Sequence, residues 1–483
     1  MVNISGRSQQ GFEEYQRNRK NHWNNVAVSL PSWKGWGSYY HKRLTEIFQH
    51  FIPKNQGVLE VGCGDARLLH SLSPSKGVGV DFSFEMCRRA KTQHPELNII
   101  QADAHNLPFK DSFDFIILSD LLNDVWDVQG VLQQTRNLSS RKTRVIINSY
   151  SRLWEIPLSI GQKLKLAKPN LLQNWLTPQD IERLLYLEDF EVIKYTQEII
   201  FPFKIPLITS FLNRFLGKIW PFRHLALTNL IIVRPIELAQ ESDRNVSVSV
   251  IVPARNEAGN IETIFQRTPE LGSGTELIFV EGHSEDDTFE TISSIMAQNP
   301  DRNVKVFQQS GIGKGDAVRL GFDKASGDIL MILDADLTVP PEDLILFYNT
   351  LTAGKGDFIN GVRLVYPMEE QAMRFLNLIG NKFFSVAFTW LLGQPIKDTL
   401  CGTKVLYKSD YERIAENRRY FGDFDPFGDF DLLFGATKLN LKIIEMPIRY
   451  RSRTYGKTNI NRFQHGFLLM RMVLFAARRI KFI

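Results

Sequence analysis

The feature that most constrains this chain is a rhythm that occurs twice: short apolar runs ending in glycine-rich or acidic turns alternate with stretches of helical length. The first series holds apolar runs at 58–61, 77–80, 98–101, 113–118 and 144–148, with helical stretches at 65–72 and 83–92. A run that is apolar at successive positions, rather than at every second one, is buried on both faces, and the intervening helices supply the cover. The pattern predicts a mostly parallel sheet between helices, with ligands bound beyond the carboxyl ends of the strands. Residues 177–187 read as a helix with Thr177 as N-cap and Pro178 in its first turn, and 190–195 and 227–233 as closing strands. A second series starts at 246–252 and continues through 276–280, 303–308, 328–333, 357–361 and 441–445.

A length of 483 residues suits two such α/β units in series. The polar stretch 237–245 is the expected boundary, which gives domains 1–236 and 246–483. Cys63, Cys87 and Cys401 are widely spaced and form no CxxC pair, so neither a disulfide framework nor a structural zinc site is expected. The first twenty residues have no apolar core of signal-peptide length, and no run reaches the roughly 20 apolar residues of a membrane span. The expected location is cytoplasmic. The formal charge of +5 is modest, and no zinc finger or ribonucleoprotein-type strand pair points to nucleic acid.

In the first series the run 58–61 leads into Gly62, Cys63, Gly64, Asp65 and Ala66, a strand followed by a glycine turn and a helix start. Gly62 and Gly64 let backbone approach a ligand where a side chain would collide. Asp81 stands one residue past the second run, where a carboxylate accepts both hydroxyls of a ribose. Asp103 stands past the third, within reach of an adenine edge. A nicotinamide dehydrogenase is the competing reading, but Glu60 would then set like charge against the cofactor pyrophosphate, whereas it suits an ammonium.

On these residues the chain resembles class I S-adenosylmethionine-dependent methyltransferases, over about 35–235, with Ala66 in the last glycine position of their first motif. The resemblance implies S-adenosylmethionine as cofactor, bound by Glu60, Gly62 and Gly64, with Asp81 on the ribose and Asp103 and Ala104 at the adenine. Alignment of the nucleophile dominates methyl transfer, so a base is optional. Asp120, with Asn123 and Asp124, lies just past the fourth strand where an acceptor sits; helix capping is the plainer role for such acids. Residues 148–154, Asn174 and Trp175 are further candidates for that site. The aromatics Trp23, Trp33, Trp36, Tyr39 and Tyr40 belong either to a helical cap packed on the sheet or to a lid over the methyl acceptor.

In the second series the strand end carries Pro253, Arg255 and Glu257, and Glu281 follows the next strand. Lys314 and Arg319 lie in a basic turn and helix suited to phosphate. Asp334 and Asp336 flank one residue at a strand end and can reach one divalent cation, Mg2+ or Mn2+, which bridges a diphosphate through hard oxygen ligands. A calcium loop does not fit, because the further ligands of that pattern are missing.

These features resemble family 2 glycosyltransferases of GT-A fold, particularly those with dolichyl or polyprenyl phosphate acceptors, over about 246–465. The resemblance implies a nucleotide-sugar co-substrate, UDP- or GDP-linked, with Glu257 and Glu281 contacting uracil and ribose. Lys314 and Arg319 then belong to the nucleotide region, and Asp334 and Asp336 are the metal ligands. It places an acceptor-side loop at 398–404 and an acidic catalytic position within 428–433, where Asp429 and Asp431 both qualify. Arg449, Arg451, Arg453, Lys457 and Asn459 match a basic element that grips phosphates, a solvated charge run being the plain alternative. Thr338 stands where the polyprenyl-phosphate members commonly have glutamine.

From 448 to 483 there are nine Lys or Arg and no Asp or Glu. This tail either lies in a membrane interface or docks on the protein or a second copy. The sequence therefore predicts two Rossmann-like α/β domains forming a bifunctional transferase. One half moves a sugar to a lipid phosphate or glycan acceptor, and the other methylates an unidentified, sugar-related acceptor. The alternative is an active glycosyltransferase with a non-catalytic methyltransferase-like scaffold. An anionic membrane surface is a further expected partner, with peripheral attachment on its cytoplasmic face, and the sequence is silent on oligomeric state.

Overall fold

The computed structural model describes residues 6–29, 38–163, 171–205, 207–236, 245–363, 375–417, 428–451, 453, 455 and 462–482. The chain divides into two compact units, Met1–Glu237 with Phe482–Ile483, and Leu238–Lys481.

The strands of the first unit are β1 (Gly57–Val61), β2 (Lys76–Asp81), β3 (Asn98–Gln101), β4 (Phe115–Ser119), β5 (Arg144–Tyr150), β6 (Phe190–Glu198) and β7 (Thr228–Pro235). They form one sheet in the order β3-β2-β1-β4-β5-β7-β6, with β1 to β5 parallel and β7 antiparallel to both its neighbours. The continuous apolar runs behave as their pattern requires. Val58, Ile117, Ile146 and Ile232 enter one core, while Leu59, Ile116, Ile147 and Ile231 enter another. Successive strand residues point to opposite faces, so each strand feeds both cores.

Local chemistry sets the helix ends. Thr177 and Asp180 form a reciprocal capping box with Pro178 in the first turn, and Ser83 accepts the Met86 N–H. The helix expected at 65–72 is only Arg67–Ser71, because buried Ala66 takes a left-handed backbone, φ 57°, that ends the turn. Alanine thus occupies a conformation that glycine, in the motif's usual form, adopts freely.

The second unit contains β8 (Val248–Ala254), β9 (Thr275–Glu281), β10 (Val304–Gln308), β11 (Ile329–Ile332), β12 (Phe358–Val362), β13 (Lys404–Tyr407) and β14 (Ile443–Pro447). Their order is β10-β9-β8-β11-β13-β12-β14, and β13 runs antiparallel between β11 and β12. The sequence pattern misses β13: it is four residues long and opens on Lys404, the last residue of the segment read as a loop. Among the described residues no helix is long and apolar enough to cross a membrane.

Candidate active sites

In the first unit, parallel β1, β2 and β4 bring their carboxyl ends to one edge. The turn after β1 is closed by Gly62 and Cys63, whose N–H groups donate to the Val80 carbonyl, and by Gly64, whose N–H donates to Asp81 Oδ2 at 2.9 Å. Asp81 Oδ1 accepts the Ser83 N–H at 2.9 Å, so one buried carboxylate ties the turn to the next helix. Burial pushes this carboxyl up to about 6 against the pull of the two amides. Both glycines have positive φ, 76° and 54°, and a Cβ on Gly64 would meet nothing within 4 Å. An open backbone face beside an acid is the cradle a nucleoside requires.

Glu60 is buried, and its Oε2 accepts the Leu69 N–H at 3.1 Å; burial pushes its carboxyl well above the ordinary range. The carboxyl thus caps the helix Arg67–Ser71, a bond that the sequence reading, with its ligand ammonium, did not foresee. Asp103 accepts the His105 N–H and Nδ1 at 2.8 and 2.6 Å and a bond from Gln16 Nε2, and Ala104 packs on the adjoining core. Gln16 lies on the helix Gly6–Ser29, which also brings Arg19 and Trp23 to Asp124 and Asn24 to Ser83. This first helix therefore crosses the strand tips, a placement no local signal announces.

Asp120 follows β4 with a left-handed backbone, φ 53°. Tyr40 donates to its two oxygens at 3.0 and 3.1 Å, Asn148 donates at 2.5 Å, and Tyr150 Oη lies at 3.4 Å. Burial and the nearby carboxylate push both phenols well above their ordinary range. Tyr150 is also tilted against Trp175, with ring centroids 6.5 Å apart. Asn123 and Asn174 instead bond each other's backbone, Asn123 Nδ2 to the Asn174 carbonyl at 2.8 Å.

In the second unit the acids at two strand tips, those of β8 and β11, are joined by one arginine. Arg453 donates to Glu257 Oε1 at 3.2 Å and to Asp336 Oδ2 at 2.8 Å. Asn260 holds the other Glu257 oxygen at 2.7 Å. Burial pushes Glu257 up to about 7, although Arg453 and Asn260 pull it down. Lys314 lies on Asp334 at 2.5 Å. Burial alone would lower this ammonium, but Asp334 and Asp429 hold it above its ordinary range, and Lys314 in turn keeps Asp334 below the usual carboxylate value despite its burial. Glu281 accepts the Ser284 N–H at 2.5 Å and Gln308 Nε2 at 3.3 Å, bonds that hold it low against burial. Thr338, in the unusual position, donates to Asp336 Oδ1 at 2.7 Å and so fixes that carboxylate. Left-handed residues follow three of these strands, Asn256, His283 and Leu337, as is common where a site holds strained backbone.

Pro253 lies within β8 opposite Val280, and Arg255 beyond it is exposed. Among the described residues Arg319 pairs with Asp316, at 4.0 Å. Lys457 and Asn459 lie outside the described residues.

Residues 249–414 match the family model described as glycosyl transferase family 2, and residues 59–147 match that described as methyltransferase domain. The chain joins a methyltransferase domain to a family 2 glycosyltransferase domain. Among curated relatives it is similar to a dolichol-phosphate mannosyltransferase of Pyrococcus furiosus, 27% identical over 47% of this chain and 64% of that protein. The chain thus spans less than two thirds of that relative's length. Among solved structures it is similar to a Thermotoga maritima methyltransferase, 16% identical over 47% of this chain and 99% of that one, TM-score 0.33. It is also similar to glucosyl-3-phosphoglycerate synthase of Mycobacterium tuberculosis, 19% identical over 50% and 82%, TM-score 0.36.

In the glycosyltransferase domain, three contacts about the acids went unread in the sequence. Lys404 on β13 has no solvent-exposed side-chain surface and reaches Asp429 Oδ1 at 2.8 Å. A Cβ added to Gly402 would overlap the Asp334 carboxylate and the Lys314 ammonium, so a side chain there would displace this pair. Arg363 clasps Asp398 with Nε and Nη2 at 2.7 and 2.8 Å, anchoring the start of the expected acceptor-side loop. In the methyltransferase domain the Tyr40 and Tyr150 pair about Asp120 joins the Glu60 and Gln16 bonds as contacts unread in the sequence.

Proposed function

We propose that the chain is a bifunctional transferase. The glycosyltransferase domain moves a sugar from a UDP- or GDP-linked donor to a polyprenyl phosphate or glycan acceptor. The methyltransferase domain moves the methyl group of S-adenosylmethionine to a sugar-related acceptor.

The observation that carries the sugar-transfer reading is the junction of Glu257, Asp336 and Arg453. Residues 196 and 117 positions apart from the arginine meet there, beside the Lys314 and Asp334 pair. Asp334 and Asp336 supply oxygen ligands suited to Mg2+ or Mn2+, which, when bound, stabilises charge on a departing diphosphate. Arg453 and Lys314 already place cations on these acids and are positioned to release them for phosphate oxygens. Asp429, held by Lys404, and Asp431, buried two residues further along the same helix, Asp429–Lys438, are the two acids to which we assign proton abstraction from a hydroxyl acceptor. A phosphate acceptor needs no such base.

In the methyltransferase domain the open face at Gly64 beside Asp81 supports cofactor binding. Asp120, braced by Tyr40, Asn148 and Tyr150, is the group we assign to orient the acceptor and receive its proton. The scaffold reading draws on one observation, Gln16 seated on Asp103.

Asp336→Ala is expected to abolish sugar transfer and leave calorimetric binding of S-adenosylmethionine unchanged. Full transfer by this variant with metal bound contradicts the reading.

A further inference from the structure

We infer that the methyltransferase domain carries its own membrane-seating surface, formed by the segment between β6 and β7, with an anionic lipid bilayer as its occupant. From residue 199 to 229 the chain has no Asp or Glu but carries Lys204, Arg214, Lys218 and Arg223. Many of its large apolar side chains are exposed. Leu207 is 87% exposed, Trp220 71% and Phe211 60%, with Ile205, Ile219 and Phe222 exposed beside them in sequence. A neighbouring helix, Glu155–Lys163, adds Ile156 at 71% and Ile160 one turn on. Trp154 Nε1 ties the two segments together through the Leu225 carbonyl at 2.9 Å.

Isolated exposed leucines need no explanation, but large apolar side chains exposed repeatedly along one short segment, beside exposed cations, do. The composition decides the occupant. Lys218 turns inward to Glu198, while Lys204 and Arg223 stay exposed among Trp and Phe side chains. Aromatic and aliphatic groups with basic rims, and a single acid, Glu155, at the start of the added helix, suit the headgroup layer, where the rings bury and the cations meet phosphate. With no spanning helix among the described residues, the surface lies in the interface plane.

Its position gives the surface a consequence. The segment leaves β6 at Glu198 and enters β7 at Thr228, which pairs with Tyr150 at the carboxyl end of β5. Asn213 within it bonds Tyr39 Oη at 3.1 Å, and the next residue, Tyr40, holds Asp120. The surface therefore borders the strand-tip edge where an acceptor is methylated. Resting on the methyl-transfer reading above, it makes the methyl acceptor a membrane-resident, lipid-linked molecule.

The test is flotation of the full chain with vesicles of equal parts phosphatidylglycerol and phosphatidylcholine, and with phosphatidylcholine alone. Wild type is expected to float with the anionic vesicles. The double variant Phe211→Ser with Trp220→Ser is expected to lose at least about tenfold in bound fraction, and Lys204→Glu with Arg223→Glu to lose binding to anionic vesicles selectively. S-adenosylmethionine affinity and the unfolding midpoint, read on the same variants, check that they fold. Failure of wild type to float overturns the inference. So does undiminished flotation of Phe211→Ser with Trp220→Ser when Arg478→Ala with Arg479→Ala abolishes it, which places attachment on the tail. So does a wild-type dimer that the first variant splits, since a second copy then covers the surface. Each of these failures leaves methyl-donor binding intact, so the transferase reading is judged separately.

Discussion

Lys404 delivers its ammonium to Asp429 at 2.8 Å in a place that solvent does not reach. Removing one partner of such a buried pair strands the other, whereas replacing both with apolar groups relieves the cost. Lys404→Met is expected to destabilise the glycosyltransferase domain by about 3–5 kcal/mol, and Lys404→Met with Asp429→Leu to recover most of that loss. Denaturant unfolding of the two variants checks the coupling. Equal destabilisation by both would remove the pair from the stability argument.

Glu257 titrates at about 7 against an ordinary 4.5, because burial outweighs the pull of Arg453. Folding therefore favours the protonated acid. Its stabilising contribution is complete below pH 4.5 and is lost as pH rises through about 7. Glu257→Gln is expected to flatten this part of the stability profile of the glycosyltransferase domain. An unchanged slope between those pH values in thermal unfolding would contradict the assignment.

Gly402 passes where a Cβ would strike both members of the Lys314 and Asp334 pair. Gly402→Ala is expected to lower kcat/KM for sugar transfer by at least about tenfold, because small displacements of charged groups in a site are costly. The unfolding midpoint of the same domain is expected to move little. Wild-type turnover would show that the pair tolerates displacement.

Asp81 holds the glycine turn and the following helix start through two amides. Asp81→Ala is expected to weaken S-adenosylmethionine binding by about 3 kcal/mol, the loss of two charge-assisted hydrogen bonds. Calorimetry gives the number. Because burial raises this acid to about 6, affinity is also expected to decline as pH falls through that value, where the carboxyl becomes protonated.

The strand tips were readable because the chemistry there is local. Gly62, Gly64 and Asp81 lie one turn or one βα unit from each other, and Asp334 and Asp336 are separated by a single residue. β13 was not readable, since four residues beginning with Lys404 carry no periodicity. Glu60 was placed on the right strand tip, yet its bond to Leu69 depends on how the short helix folds back. Arg453 stood within a recognised basic run, but the run alone could not separate a solvated arginine from one bridging two acids.

By itself the sequence determined that there would be two helix-covered α/β sheets, and it determined which acids and glycines stand at their strand ends. Those properties follow from which side chains prefer water and from turn chemistry acting over a few residues. Tertiary structure alone decided that Arg453 bridges Glu257 and Asp336, that Lys404 faces Asp429, and that Gln16 and Tyr40 reach Asp103 and Asp120. Such pairings join residues tens to hundreds of positions apart. Their selection rests on closure of the whole sheet and on the cost of leaving a buried charge without a partner.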